Sequence, residues 1–330
     1  MPDTALRTLL AGSIDYAGLF PPAGLDMATS VRQYAGYRSH PEAWALGRFV
    51  VPAARLAELE RDAARFAPVA RFAATDSASA APPMASRAAS PPGGRSDPWR
   101  LSVLLGADVR RELELLGELN CRHSAPGAPA LVGDVIEARA DSVDAIERLL
   151  GEVPRWAQAY VEIPLDRDPA PLVAAIARRG GRAKARTGGV TPDAFPPAEA
   201  VARFLRACTD AGVAFKATAG LHHPLRAEYR LTYAPDSPRG TMFGFLNVFL
   251  AAAFLHHGMS DADAVRLLEE QAPDAIRFFP DAVEWRGRRL DRVAIAAARA
   301  GGIVAFGSCS FTEPVDELQP FLTSQRRTDS

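Results

Sequence analysis

Short apolar segments recur along the chain, and a longer segment with helical periodicity follows most of them. The apolar segments predict eight strands, at 11–16, 48–52, 100–106, 130–136, 157–163, 182–187, 213–218 and 302–307. Helices are predicted at 55–66, 107–118, 141–150, 169–179, 196–211 and 286–300. This alternation indicates a parallel sheet, and eight strands are the number that closes a (β/α)8 TIM barrel. An open doubly wound sheet is the alternative, but no GxGxxG follows the first strand.

Two segments interrupt the alternation. Residues 74–98 are rich in Pro, Ser, Ala and Gly, which predicts a disordered surface insertion because this composition buries little apolar surface. Residues 221–285, between the seventh and eighth strands, are too long for a plain connection. They contain an apolar stretch and a second amphipathic segment, so we expect a helical excursion that forms a lid or an oligomer contact. Residues 1–330 are predicted to form one domain.

Composition narrows the classes of function. The formal net charge is −1, without the basic bias that is typical of proteins that bind nucleic acids or anionic membranes. The longest uncharged apolar stretch, 242–255, has 14 residues and suits a buried helix better than a membrane span. Three widely spaced cysteines predict a reducing cytoplasm. We therefore expect a cytoplasmic homo-oligomer that binds a small molecule, and neither nucleic acid nor membrane.

The cationic residues are distributed very unequally. The 38 basic residues comprise 36 arginines and two lysines, Lys184 and Lys216. In a chain that uses arginine wherever a cation suffices, a retained lysine indicates a need for an amine that can lose its proton and form an imine. Both lysines lie in predicted strands six and seven, and barrel enzymes place their sites at the carboxyl ends of strands. Chance retention of two lysines is the alternative.

Arg186 adds a third cation near the two lysines. Lys184 and Arg186 alternate along one strand face, and Lys216 comes from the adjacent strand, so we expect three crowded cations. Each cation disfavours the charge of the next, which would lower a lysine pKa and favour attack on a carbonyl. The alternative is a cationic anchor for a phosphate or a carboxylate.

The segments around both lysines resemble the deoxyribose-phosphate aldolase family, which are Schiff-base (class I) aldolases with this barrel fold. The family's sixth strand reads K-x-x-T-G, and this chain has KARTG at 184–188. The seventh reads V-K-A-S-G-G-I, and this chain has FKATAGL at 215–221. Weaker similarities are an I-D pair at 14–15, V-x-V-N-P against FVVP at 49–52, and a G-T/A-S-S phosphate turn against GSCS at 307–310.

The resemblance implies roles for individual residues. Lys184 would form the imine, Lys216 would lower its pKa, and Asp15 would belong to the site. The family's fourth-strand aspartate, a proton carrier, has a loose counterpart in Asp134 or Glu137. The chain departs from the family at Val50, near which the family's second-strand cysteine has no counterpart.

Other polar residues at predicted strand ends are further candidates. Glu162 and Glu137 end strands five and four, where they could join a histidine as a general acid/base set or pair with Arg186 as scaffolding. His222 and His223 follow strand seven, and we expect one of them to enter the site unless both lie at the surface. The remaining candidates would hold the anionic part of a substrate: Thr187, Gly188, Gly189, Thr218, Gly220, Gly307 and Ser308.

The sequence therefore predicts an aldolase or lyase that forms an imine with a small carbonyl compound carrying an anionic group. No cofactor is expected, and the absence of HxH and HExxH spacings argues against a metal. One alternative is a lysine-independent hydrolase or isomerase that uses Glu162 and His222 or His223, with or without a divalent metal. Another is a non-catalytic barrel that binds an anionic ligand.

Overall fold

The fold is a closed barrel of parallel strands, seen in a computed structural model that describes residues 4–69 and 97–324. Within these ranges the barrel has eight strands, and their order around it is β1-β13-β7-β6-β5-β4-β3-β2. They are β1 (Ile14–Tyr16), β2 (Leu46–Pro52), β3 (Trp99–Leu104), β4 (Leu131–Arg139), β5 (Gln158–Glu162), β6 (Arg182–Arg186), β7 (Phe215–Thr218) and β13 (Ile303–Ser308). Each coincides with a predicted strand, and all neighbours pair in parallel.

Helices connect the strands and cover the outside of the barrel, as in a TIM barrel. They are α1 (Ala5–Leu10), α2 (Met27–Tyr37), α3 (Leu56–Ala63), α4 (Val109–His123), α5 (Val143–Glu152), α6 (Ala170–Arg178), α7 (Ala198–Asp210), α8 (Phe245–His256), α9 (Asp261–Leu268), α10 (Arg292–Gly301), α11 (Thr312–Glu317) and α12 (Gln319–Ser324). Side-chain caps fix several starts, because Asp108, Ser142 and Ser260 each accept a bond from a backbone N–H of the first turn.

Five short strands outside the barrel were not predicted. A hairpin of β8 (Ala227–Arg230) and β9 (Arg239–Met242) follows β7. An antiparallel sheet of β10 (Ile276–Phe278), β11 (Ala282–Trp285) and β12 (Arg288–Asp291) precedes α10. The predicted helix at 286–300 was therefore wrong in its first turns. Positive φ angles at Arg286 and Gly287 make the tight turn between β11 and β12, and Asp291 then caps α10.

The excursion expected at 221–285 contains part of the barrel wall. Residues Phe245–Leu255 of α8 are all buried, and α8 packs between α7, α10 and β13. The ring of Phe245 stacks on Phe306 of β13 with centroids 4.9 Å apart. The apolar character of this stretch thus follows from burial on several sides by its own chain, and it requires neither a lid nor a partner subunit.

Two further sequence-based expectations concern the insertion at 74–98 and the absence of a membrane-spanning helix. The predicted disordered insertion at 74–98 lies outside the described residues, except for positions 97 and 98. Within 4–69 and 97–324, no helix is both long enough and apolar enough to cross a membrane. The apolar helix α8 has 12 residues, which fits its place in the barrel wall.

Truncating Phe245 should strongly destabilise the barrel. Phe245→Ala removes a fully buried ring from the contact between α8 and β13, so we expect the free energy of unfolding to fall by about 3–5 kcal/mol. Val293→Ala, at a residue of α10 that is 78% exposed, should change it by less than about 0.5 kcal/mol. Urea unfolding of both variants measures this, and equal effects would contradict the packing described for α8.

Candidate active site

Six charged side chains form a continuous row inside the barrel, which we call the core ion network. In order of contact they are Asp15, Lys216, Glu137, Lys184, Glu162 and Arg139. Acidic and basic groups alternate along the row, so each charge is next to charges of opposite sign. The sequence analysis identified five of these residues and missed Arg139.

Strand register brings the network together. Lys184 of β6 pairs in register with Lys216 of β7 and with Glu162 of β5. Glu162 pairs in turn with Arg139, which lies two residues after Glu137 on β4. Side chains two residues apart share a face of a strand, so Glu137 and Arg139 both point towards the lysines. The same spacing is the sequence signal that could have identified Arg139.

Glu137 is the centre of the network. Its Oε2 lies 2.8 Å from Lys184 Nζ, and its Oε1 accepts bonds of 2.6 Å from both Lys216 Nζ and Ser102 Oγ. Burial opposes ionisation of this carboxyl, but the charges of Lys184 and Lys216 outweigh it and lower the Glu137 pKa far below its usual range. Glu137 therefore remains ionised between the two lysines.

Lys216 is enclosed by acidic groups, not by cations. Its Nζ donates to Asp15 Oδ2 at 2.5 Å and lies 5.4 Å from the centroid of the Tyr160 ring. Burial disfavours the charged amine, yet Asp15 and Glu137 outweigh it and raise the Lys216 pKa above its ordinary value. The expectation that crowded cations lower a lysine pKa is thus wrong for Lys216, because two carboxylates enclose it and Glu137 lies between it and Lys184.

Lys184 lies closer than Lys216 to the solvent-exposed end of the network, which is formed by Arg139. The residue is 6% exposed, and its Nζ is 2.8 Å from Glu162 Oε2. The second oxygen of Glu162 accepts a 2.7 Å bond from Arg139 Nε, and the Arg139 side chain is 74% exposed. Burial opposes ionisation of Glu162, but Lys184 and then Arg139 lower its pKa. The row therefore leads from the barrel interior to solvent through Glu162 and Arg139.

Asp15 is held at the far end of the row by the backbone of β2. Its Oδ1 accepts a 2.8 Å bond from the backbone N–H of Arg48, while Oδ2 binds Lys216. A Cβ at Gly47 would overlap Asp15 Oδ1, so this position must be glycine for the carboxylate to approach the strand.

Asp134 lies apart from the lysines. It forms ion pairs with Arg48 and with Arg100, and its side chain is about a third exposed. A register shift in β4, where Gly133 pairs with Leu101 but Val135 pairs with Ser102, makes Asp134 the extra residue and interrupts the alternation before Glu137. Of the two carboxylates considered for proton transfer on β4, only Glu137 contacts the lysines.

The predicted anion-binding residues after β6 and β7 have mostly structural contacts. Thr187 is fully buried and donates to the carbonyl of Ala219 at 2.8 Å. A Cβ at Gly188 or at Gly220 would collide with the ring of Phe195, so this ring covers both glycines. Gly220 also has a φ of 71°, which favours glycine. These turns are therefore packed, and their glycines do not form an open cradle for an anion.

The other predicted binding residues lie at or after the carboxyl-terminal ends of β6, β7 and β13, which we call the upper end of the barrel. Arg186 is exposed two residues beyond Lys184, and among the described residues it has no hydrogen bond or ion pair. Thr218 pairs with Gly307 on β13, and the Thr218 hydroxyl donates to Ala185 O at 3.5 Å. Gly189 is partly exposed beside Ala194. Arg186 is thus an unpaired cation on the lysine-bearing face of β6.

The two adjacent histidines have different surroundings. His223 stacks on Tyr229, with ring centroids 3.5 Å apart, and its Nδ1 bonds Glu317 at 2.8 Å. The buried His222 instead belongs to a group that we call the rim cluster. Its members are His222, Tyr233, Ser308, Cys309 and Glu313. Neither histidine contacts Glu162 within the described part of the chain.

The metal-dependent alternative has no geometric support in the described ranges, since no group of three or more His, Cys, Asp or Glu side chains there is arranged to hold an ion. Comparisons of the chain with protein-family models, with curated proteins and with solved structures found no match. The inference of function therefore rests on the chemistry of the site.

Removing Lys216 should destabilise the fold in a pH-dependent way. Lys216→Met leaves Asp15 and Glu137 buried without their cation, and loss of one partner from a buried pair costs about 3–5 kcal/mol. The lowered pKa of Glu137 means that its ionised form stabilises the wild type above about pH 4.3, and this contribution is lost as the pH falls below that value. We therefore expect a large difference at pH 7 that narrows near pH 3.

Urea unfolding at both pH values measures this difference. Arg100→Ala is the matched control, because it also removes a cation from an ion pair, but from one whose arginine side chain is 53% exposed. Its effect should stay below about 1 kcal/mol. A Lys216→Met penalty that is small, or that is the same at pH 7 and pH 3, would contradict the electrostatic role of Lys216.

Proposed function

We propose that this protein is a lyase of the aldolase type that forms an imine between Lys184 and a small carbonyl compound carrying an anionic group. The observation that carries the proposal is the position of Lys184 Nζ, 2.8 Å from both Glu137 and Glu162 at the upper end of the barrel interior. A buried amine between two bases, beside a route to solvent, fits nucleophilic attack on a carbonyl.

The backbone after β7 adds support for the resemblance to deoxyribose-phosphate aldolases. That family has two glycines after the strand-seven lysine motif, and this chain has Ala219 and Gly220 there. Their φ angles are 67° and 71°, in the left-handed region that glycine adopts readily. Ala219 thus keeps a glycine-like conformation although its side chain disfavours it by about 1 kcal/mol or more.

The carboxylates beside Lys184 supply the proton transfers that imine formation requires. Glu137 and Glu162 are ionised at neutral pH and lie 2.8 Å from Lys184 Nζ, so either is positioned to receive a proton from it before attack, although their lowered pKa values make that transfer energetically uphill. Glu162 is better placed for this, because Glu137 Oε1 already accepts two bonds. The carbonyl oxygen leaves as water after it receives two protons, this one from Glu162 and a second that the nitrogen gives up after attack, while the third proton stays on the imine nitrogen.

The imine then acts as the electron sink for the C–C bond. When that bond breaks, its electron pair moves towards the Lys184 nitrogen, and the positive charge there is neutralised. Glu137 stays beside this nitrogen throughout and stabilises the cationic imine that precedes cleavage. Lys216, held by Asp15 and Glu137, keeps Glu137 ionised and in position.

Arg186 is our proposed anchor for the anionic group. It lies on the same face of β6 as Lys184, two residues and so about 7 Å farther towards the open end of the barrel. Because it has no ion pair among the described residues, its guanidinium is free to bind a phosphate or a carboxylate.

Replacing Lys184 by arginine tests the imine directly. Lys184→Arg keeps a cation between Glu137 and Glu162 but removes the amine, so borohydride trapping of carbonyl compounds should disappear while the fold survives. Intact mass after incubation with a panel of small aldehydes and ketones plus borohydride is the measurement. Lys216 remains in this variant and reports any unspecific trapping on a buried lysine.

The same variant separates the competing hypotheses. A Lys184→Arg protein that retains activity would refute the imine mechanism, whereas one that retains ligand binding and whose wild type is never trapped would favour the non-catalytic anion-binding barrel. Lys216→Arg keeps the cation beside Glu137, so it should retain more trapping than Lys216→Met.

Arg186→Ala tests the anchor. Trapping of phosphorylated or carboxylated aldehydes should need about tenfold higher concentration than in the wild type, which corresponds to a loss of about 1.4 kcal/mol. Trapping of neutral aldehydes should be unchanged, because they do not use the guanidinium. Arg203→Ala, at an exposed arginine on α7, is the control for a general loss of charge. An equal loss for charged and neutral aldehydes would contradict the assignment.

A further inference from the structure

The rim cluster is a separate group of reactive side chains above the core ion network. Cys309 Sγ lies 3.9 Å from His222 Nδ1 and 3.5 Å from the Tyr233 hydroxyl. Glu313 Oε2 lies 3.3 Å from His222 Nδ1 and 3.2 Å from the same hydroxyl. Gly307 pairs with Thr218, two residues beyond Lys216, so Cys309 is roughly 10 Å or more above the lysines along the barrel.

The surroundings of Cys309 favour its thiolate. Burial raises the pKa of the thiol, but the hydrogen bond and the charge of His222 outweigh burial and lower it. In the same way burial disfavours charge on His222, and its contacts with Cys309 and Glu313 raise its pKa to about 9. The contact between the two groups therefore favours a thiolate beside an imidazolium over the neutral pair.

Groups from six segments of the chain surround the sulfur or its partner His222. The loop after β7 contributes His222, the hairpin loop contributes Tyr233, and α11 contributes Glu313. The charge of the thiolate also acts on Tyr16 of β1 and on Tyr37 of α2. In addition, the backbone N–H of Ala23 donates to the sulfur. Among these groups, the His222 imidazolium and the hydrogen-bond donors Tyr233 and Ala23 stabilise a thiolate at Cys309.

Access to the sulfur is narrow, and the imidazole of His222 lies beside it. Cys309 is 4% exposed, whereas Tyr233, whose hydroxyl contacts the sulfur, is 57% exposed. His222 Nδ1 lies 3.9 Å from Cys309 Sγ and 3.3 Å from both Ser308 Oγ and Glu313 Oε2, so the proton on Nδ1 is the one next to the sulfur.

We propose that Cys309 is a modification site for hydrogen peroxide and other small hydroperoxides, with His222 as the proton donor for the departing oxygen. Because Cys309 is 4% exposed and the Tyr233 hydroxyl contacts its sulfur, a compact reagent is favoured over a larger disulfide or alkylating agent. A cysteine-histidine hydrolase is disfavoured, because Cys309 and Glu313 both contact Nδ1 of His222 and no group in the described part of the chain orients the ring through Nε2.

The modification needs no reactant besides the peroxide, the Cys309 thiolate and the His222 imidazolium. The Cys309 thiolate attacks one oxygen of the peroxide, an S–O bond forms and the O–O bond breaks. Sulfur is oxidised by two electrons to the sulfenic acid, and the peroxide is reduced. The second oxygen leaves as hydroxide and takes the proton of the His222 imidazolium to give water. Neutral His222 and Cys309 sulfenic acid remain.

Peroxide titration of the full-length protein tests this site without knowledge of any substrate. The protein is exposed to less than one equivalent of hydrogen peroxide at pH 7 and then unfolded in dimedone, so that burial does not affect trapping. Peptide mass mapping compares the three cysteines of the same molecule. We expect Cys309 to be labelled ahead of the exposed Cys121, and the buried Cys208, whose pKa burial raises, to stay unlabelled.

Variants assign the effect to His222. His222→Asn keeps a polar side chain of similar size without the positive charge, so Cys309 labelling at pH 7 should fall about tenfold for each unit by which its pKa rises. His223→Asn is the matched control and should leave the labelling unchanged, because His223 contacts Tyr229 and Glu317 instead. Tyr233→Ala should admit bulkier thiol reagents to Cys309.

The pH dependence of Cys309 labelling in the wild type tests the proposed site even if a variant fails to fold. Between pH 8.5 and pH 6 an ordinary thiol with a pKa of about 8.5 loses roughly a hundredfold in reactivity. Cys309 should lose less than about tenfold over the same range, because its thiolate persists. Labelling no faster than that of Cys121, an ordinary pH profile, or no response to His222→Asn in a folded protein would each overturn the proposal.

Discussion

Mutual neutralisation of buried charges is the constraint on which this barrel depends. Transferring a single ion from water to a protein interior costs several kcal/mol even after relaxation, and only close partners of opposite charge offset that cost. Asp15, Glu137 and Glu162 are therefore as necessary to the fold as the apolar core, because Lys184 and Lys216 could not remain buried without them. The strand register that closes the barrel also sets these pairings.

The same network gives its two lysines different properties. Lys216 is 1% exposed and lies between Asp15 and Glu137, so it acts as a fixed charge. Lys184 has one partner, Glu162, that is connected to solvent through Arg139. Lys184 therefore lies closer to solvent than Lys216, which is why we propose the covalent chemistry for Lys184. The rim cluster is a second reactive group, with Cys309 roughly 10 Å or more from the lysines along the barrel.

Predictions from the sequence were most accurate where a residue type had a strong chemical reason to be present. The two lysines and their glycine-rich turns located β6 and β7, and the apolar segments located all eight barrel strands. The sequence was a poorer guide to which side chains of a strand contact the lysines. Asp134 and Glu137 were equal candidates from their positions near a strand end, and only their ion-pair partners in the folded barrel separated them. The helix expected at 286–300 began late, because a turn at Arg286 allowed β12 to pair first.

The sequence by itself determined the barrel, since alternating apolar strands and amphipathic helices have few other ways to bury their faces. It also identified Lys184 and Lys216 as exceptional in an arginine-rich chain. The tertiary structure alone decided what surrounds them, because the neighbours of Lys216 come from β1 and β4, 201 and 79 residues away in the sequence. The charges around a side chain depend on distances between strands that are far apart in the sequence. Here the nearby Asp15 and Glu137 raise the Lys216 pKa, whereas crowded cations were expected to lower a lysine pKa.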